Sequence, residues 1–243
     1  MTTGAGYLVK ADAGRELLPT IKKVLDGDLF VSGSLRPLDL STLNETLAHE
    51  ERVSNAPLSP GKPERAGHHE VVFYSDDSQL PDRVTKFIGD ALNTGHSGIV
   101  IATEPHRNSL VLGLRAYGVD FDGAVARGRY IALDAAETMS TFMVDGALDR
   151  DRFMADLSRP ISIALNAAKA TPPRVAFFGE GADLLWTEGN GEAAVQNEKL
   201  CNELIKRYDV DILCGYSLST LEGEIVDEVL RHICAEHSAV HRP

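Results

Sequence analysis

Residues 70–103 read EVVFYSDDSQLPDRVTKFIGDALNTGHSGIVIAT. EVVFYS at 70–75 is a short continuous apolar run, and GIVIAT at 98–103 is a second. Between them Val84, Phe87, Ile88, Ala91 and Leu92 recur at helical spacing, and NTGHSG closes that segment. Strand, helix, strand is the reading these periods support. Strands that are apolar throughout, not alternating, bury both faces, and that is the habit of parallel sheets covered by helices.

The same rhythm continues to both sides. PHRNSLVLGLRAYGVD reads as a helix ending at Gly118, and YIALDA (130–135) as a third strand. Phe153, Leu157, Ile161, Ala164, Leu165 and Ala168 stripe a long helix, with a kink or split expected at Pro160. RVAFFGE (174–180) is a fourth strand; Leu200, Cys201, Leu204, Ile205 and Tyr208 mark another helix; VDILCGY (210–216) is the last clear strand. The predicted class is a three-layer α/β domain with a mainly parallel sheet. Ligands of such sheets sit outside the carboxyl ends of the strands. That rule points to 74–81, 103–107, 134–140, 179–190 and 214–220.

Residues 49–67, HEERVSNAPLSPGKPERAG, are rich in proline, glycine and charge and lack apolar periodicity, which is linker composition. Ahead of it, Tyr7–Val9 read as a short strand. Asp12 then caps a helix carrying Leu17, Leu18, Ile21, Val24 and Leu25. The expected organisation is 1–48 as a small strand-and-helix unit, 49–67 as linker and 68–243 as the main domain.

The 243 residues carry a net charge of −12. Residues 1–66 hold 8 Lys/Arg against 9 Asp/Glu, and the remainder 16 against 27. A surface this acidic repels phosphate backbones, so no direct nucleic-acid contact is expected. No apolar run approaches the roughly 18–20 residues of a membrane span. With no secretory signal in view either, cytoplasmic placement is the expectation. Cys201, Cys214 and Cys234 lack CxxC spacing and read as buried thiols.

The first strand–helix junction, Ser75-Asp76-Asp77-Ser78-Gln79-Leu80-Pro81-Asp82, has no glycine and no lysine, so it cannot cradle phosphate as a P-loop does. Asp76, Asp77 or Ser78 reads as a helix cap there. His68 and His69 are adjacent on an extended chain and point to opposite faces, so they cannot easily share a metal, and no metal or cofactor is expected. In FFGEGADLLW, Gly179-Glu180-Gly181 puts a carboxylate at a strand tip, with Trp186 at the same edge. That pair suits a small-ligand pocket or a general base; it equally suits a helix cap with a core tryptophan.

The stretches HHEVVFYSDDSQLPDRVTKFIGDALNTGHSGIVIATEPHR, YGVDFDGAVARGRYIALDAAETMSTFMVDGALD, FFGEGADLLWTEGNGEAAVQNEKLCNEL and DILCGYS together resemble the MEDS sensory domain over about 68–235. The resemblance implies a RecA/KaiC-like fold with a degenerate P-loop. It also implies a non-catalytic module that senses a small ligand, hydrocarbon derivatives among the candidates. Its motifs bring forward His69, Tyr74, Asp76, Asp77, Glu104, Glu180, Trp186 and Glu198. The output it implies is a changed contact with a regulatory protein such as a kinase or anti-sigma-type factor, with a homodimer left open. No helix-turn-helix or kinase segment accompanies it in this sequence, so direct transcriptional control is not expected. A RecA/KaiC-like ATPase using Glu180 to activate water, and an interaction scaffold with a filled pocket, are the alternatives. Residues 1–34 resemble the last strand and helix of a response-regulator receiver. Lys10 falls at the phosphate-contacting lysine, but the phospho-accepting aspartate is missing, so no phosphorylation is expected there.

Overall fold

In the computed structural model the described residues are 6–7, 30–31, 67–76, 80–220 and 226–241. The chain divides into two units, 1–65 and 66–243. In the first, Gly6–Tyr7 and Phe30–Val31 pair in parallel. Lys10, the expected helix after Asp12 and the expected linker up to residue 66 lie outside the described residues.

The second unit alternates strands and helices. In chain order these are β1 (His69–Tyr74), α1 (Leu80–Asn93), β2 (Ser97–Ala102), α2 (Glu104–Ala116), α3 (Phe121–Ala126), β3 (Tyr130–Asp134) and α4 (Ala135–Phe142). They continue with α5 (Arg150–Ala167), β4 (Val175–Gly179), α6 (Gly181–Thr187), α7 (Gly191–Arg207), β5 (Val210–Ser217), α8 (Val226–Glu236) and β6 (Ala239–His241). Among the described residues the six strands form one sheet in the order β6-β1-β5-β4-β2-β3, every pairing parallel. A small antiparallel hairpin joins Met143–Val144 to Ala147–Leu148 ahead of α5.

Register sorts the side chains into two cores. Val72, Tyr74, Val100, Ala102, Phe178 and Leu213 face α1, α2 and α3, whose Leu80, Val84, Ile88, Leu110 and Leu114 are buried against them. Val71, Phe73, Ile99, Ile101, Phe177, Ile212, Cys214 and Tyr216 face the other way. They meet Met139 and Phe142 of α4, Phe153, Leu157 and Ile161 of α5, Leu200, Cys201 and Leu204 of α7, and Ile233 of α8. Two helical layers around one sheet make the fold a three-layer α/β domain.

Capping residues start the helices where the sequence changes period. Asp134 accepts from Glu137 N–H (3.1 Å), Asp149 from Arg152 N–H (2.9 Å) and Asn190 from Ala193 N–H (3.2 Å). α5 runs through Pro160 without dividing, which corrects the expected split. Buried Phe153, Leu157, Ile161 and Ala164 lie on both sides of the proline and hold one face against the sheet. That packing outweighs the cost of one lost backbone hydrogen bond.

β6 was not visible as a strand in the sequence. Its pairing begins at Ser238, whose N–H donates to the His69 carbonyl (2.6 Å), while its Oγ also bonds the His69 backbone. This edge brings His237 beside β1, its ring centroid 4.0 Å from that of His69.

Arg129 ties the end of α1 to β3. Its guanidinium donates to the carbonyls of Leu92 (2.5 Å) and His96 (2.6 and 3.1 Å), and the residue is buried. Both are acceptors at and just past a helix C-terminus, where the helix itself offers no donor; the Leu92 carbonyl also accepts from Gly95 N–H (3.2 Å). Arg129→Leu is expected to lower the urea unfolding midpoint, at a cost of about 1.5–3 kcal/mol for the lost charge-assisted bonds. A midpoint within error of wild type would contradict this.

Candidate functional site

The polar candidates separate into two places. The first is the carboxyl edge of the sheet. Glu180 follows β4 directly and is buried at the N-terminal boundary of α6. One oxygen, Oε2, accepts from Thr103 N–H just past β2 (2.9 Å), and the other meets Nδ1 of His106, buried in α2. Tyr74, at the end of β1, is buried with its ring edge-on to His106, centroids 6.0 Å apart. Arg107 adds a second tie, donating to the Ala102 carbonyl (2.6 Å) and to Asp134 (2.7 Å) at the tip of β3. Asp76 and Glu104 lie exposed on this edge, and Trp186 is half-buried and packed on the core. Asp77 lies outside the described residues.

The second place is the middle of the sheet, on the face covered by α7 and α8. Glu198, one of α7's inward positions, is fully buried. Tyr216 O–H donates to its Oε1 (2.5 Å). The Cys214 thiol donates to Oε2 (3.2 Å), and His69 Nε2 stands 3.1 Å from the same oxygen. His237 Nε2 also lies 3.2 Å from Oε2, but off the line of a hydrogen bond, and that buried nitrogen makes no hydrogen bond among the described residues. Cys201, one helical turn after Glu198, puts its sulfur in the same group. One donor atom each from His69, Glu198, Cys201 and Cys214 lie within 4.8 Å of one another, and all four residues are buried.

Hydrogen bonds outside the cluster orient its imidazoles. Asn202 Nδ2 donates to the Glu236 carbonyl (3.1 Å) and carboxylate (2.9 Å), which turns its Oδ1 toward His69. His69 Nδ1 therefore faces two acceptors, Asn202 Oδ1 (3.1 Å) and the Glu236 carbonyl (3.2 Å), and must carry a proton. His237 Nδ1 likewise donates to the Ile233 carbonyl (2.6 Å). Both rings direct Nε2 at Glu198.

The charges follow from this geometry. Burial alone disfavours a charged His69, but hydrogen bonds with Cys201 and Glu198 outweigh it and push its pKa up to about 10. Burial likewise opposes ionisation of Glu198; the charge of nearby His237, with the hydrogen bond and charge of His69, reverses that and holds it well below the usual carboxylate range. The cluster is thus an imidazolium–carboxylate pair in a low-dielectric interior. The Cys214 hydrogen bond lowers the Cys201 thiol, and the same contact, with burial and Glu198, raises Cys214. A His, Glu, Cys, Cys donor set can ligate a metal ion as well as bind protons.

Between this cluster and α4–α6 lies a cavity of about 20 Å³. Ile101, Met139, Phe142, Phe153, Leu157 and Phe177 form its apolar wall, and Asn197, Cys201 and Cys214 its polar side. Gly181 opens it: a Cβ there would stand 2.5 Å from Met139 Sδ.

His69 and Glu198, singled out by resemblance, meet under the sheet; Tyr74 and Glu180 share the strand edge, whereas Asp76 and Glu104 stay exposed there and Trp186 packs on the core. Cys201, Cys214, Tyr216, His237, His106 and Asn202 were not among the candidates. Two signals for them lie in the sequence. Glu198 and Cys201 are three apart on a helix with an apolar stripe, hence on one face. Cys214 and Tyr216 are two apart on a strand, hence on one side of the sheet.

A parallel α/β sheet with helices on both faces, a charged cluster sealed under one of them and a cavity beside it defines a three-layer domain built around a buried polar centre. The chain belongs to the MEDS family, the methanogen/methylotroph, DcmR sensory domain, whose model matches residues 68–232, more than half of the chain. It therefore carries a sensory domain. No curated protein matches it. No described helix is long and apolar enough to cross a membrane.

Proposed function

We propose that this domain is a non-catalytic cytoplasmic sensor that takes up a small, weakly polar organic molecule in the cavity beside Cys201 and Cys214. Occupancy is relayed through the α4–α7 layer to a regulatory protein such as a kinase or anti-sigma-type factor. The observation that carries the reading is the cavity itself: about 20 Å³, walled by aromatic and aliphatic side chains, with thiols at one side. A void of that size holds about one water-sized group, so it favours molecules of very few heavy atoms, such as one- and two-carbon halides, alcohols or thiols. Apolar pockets with a few convergent polar groups are the usual form of small-ligand sites.

An ATPase reading is less favoured. Both oxygens of Glu180 are engaged, one by Thr103 N–H and one by His106, so it is poorly placed to activate water.

Thermal unfolding of the full chain against one- and two-carbon ligands, with Mg-ATP alongside, tests the reading. A ligand at 100 times its dissociation constant stabilises by about 2.7 kcal/mol, or roughly 5–10 °C for a domain of this size. A shift with a small organic and none with Mg-ATP is the expected result. A shift with Mg-ATP alone would replace the sensor reading by nucleotide binding, and no shift with any ligand would favour a scaffold.

A further inference from the structure

We propose that the cluster under α7 is a binding site for a borderline-soft divalent transition-metal ion of the zinc class, held by His69 Nε2, Cys201 Sγ, Cys214 Sγ and a Glu198 carboxylate oxygen. This inference stands independently of the small-ligand reading. A tetrahedral zinc shell has Zn–S near 2.3 Å and Zn–N and Zn–O near 2.0–2.1 Å, so its donors lie about 3.3–3.8 Å apart. Three of the separations are already close to that: His69 Nε2 to Cys214 Sγ is 3.4 Å, Cys214 Sγ to Glu198 Oε2 is 3.2 Å, and His69 Nε2 to Glu198 Oε2 is 3.1 Å. Cys201 Sγ lies within 4.8 Å of the other three donor atoms. A modest rotamer adjustment completes the tetrahedron.

The surroundings are those of a metal ligand set. Metal-binding histidines donate their second ring N–H to a carbonyl or carboxylate, which fixes the tautomer and orientation. His69 does this through Nδ1 to the Glu236 carbonyl and Asn202. His237 repeats the pattern through Ile233, and its Nε2, fully buried and 3.2 Å from Glu198 Oε2, is aimed at the cluster with no hydrogen bond among the described residues. The donors also sit on rigid elements: His69 on β1, Glu198 and Cys201 one turn apart on α7, Cys214 on β5. Two thiolates and an imidazole select zinc-class ions over calcium or magnesium, which take oxygen donors. The incoming ion takes the places of the His69 Nε2 proton and the two thiol protons, with Glu198 already ionised. Tyr216 O–H, on Oε1, then supports the ligating carboxylate. Because Cys201 and Cys214 also border the cavity, the ion would lie at its edge.

The test uses the reduced, chelator-dialysed full chain titrated with Zn(II) by calorimetry and with Co(II) by visible absorption. One equivalent per chain is expected, with the ligand-field and thiolate charge-transfer bands of tetrahedral cobalt. Cys201→Ser and Cys214→Ser should each weaken Zn(II) at least 10–100-fold and remove a thiolate band. Cys234→Ser should retain stoichiometry and spectrum. X-ray absorption on the zinc-loaded unmutated chain decides the matter even where a serine variant fails to fold. Two sulfurs near 2.3 Å with two nitrogen or oxygen neighbours are expected. A shell without sulfur, no saturable binding to the folded reduced chain, or loss of binding in Cys234→Ser would each overturn the proposal.

Discussion

Glu198→Gln is expected to destabilise the domain by about 3–5 kcal/mol, lowering the midpoint of thermal unfolding of the chelator-dialysed chain by roughly 10 °C. The substitution nearly preserves volume, so packing is not what is lost. Glu198 receives Tyr216 O–H on one oxygen and Cys214 S–H with His69 Nε2–H on the other, all sealed from water. A neutral amide cannot balance the His69 imidazolium, and its NH₂ turns a donor toward donors on whichever side it faces. The partner charge then stays buried without compensation, which costs more than the intact pair contributes. A shift below about 1 kcal/mol, the range of a surface pair, would show that the cluster is hydrated or differently protonated.

Phe178→Ala should cost a similar amount, about 3–5 kcal/mol, through the opposite core. Phe178 is fully buried at the centre of the sheet, paired in register with Val100 on β2 and Leu213 on β5. Its ring takes the space a side chain at residue 215 would need: a Cβ on Gly215 would lie 3.0 Å from two ring carbons. Gly215→Ala alone therefore strains the wild type, whereas in the Phe178→Ala background the added methyl enters the vacated space. The two substitutions should be less harmful together than their separate costs predict, by about 0.5–3 kcal/mol of coupling. Strict additivity would mean that residues 178 and 215 do not share that space.

Much of the architecture was legible because parallel strands announce themselves by continuous apolar runs. EVVFYS, GIVIAT, YIALDA, RVAFFGE and VDILCGY each fell within a residue or so of an observed strand. β6 was not legible, because Ala239–His241 is a three-residue edge strand held largely by backbone bonds at Ser238, with no apolar run of its own. The unbroken α5 escaped because proline's local cost is read from sequence while the packing that overrides it is tertiary.

The site was half legible. Looking at the carboxyl ends of strands led to Glu180, which does lie there, as does Tyr74, which came from resemblance. His69 and Glu198 came from resemblance, and their meeting place is the face of the sheet, a region the strand-end rule does not search. What assembles it is separation in the chain: His69 and Cys214 are 145 residues apart, and no local spacing encodes their contact. Cys201 and Cys214 satisfied the expectation of buried thiols while also being neighbours, and burial alone carried no sign of the second fact.

The most direct test of the sensor account is methyl NMR of the full chain labelled with ¹³C at methionine. The four methionines include Met139, whose side chain lines the cavity, and Met154, buried in the same core but not on the cavity wall. Titration with a one- or two-carbon halide, alcohol or thiol should give a saturable shift of the Met139 methyl with Met154 nearly unmoved. Equal, non-saturating drift of all the methyls across such a series would contradict binding in the cavity.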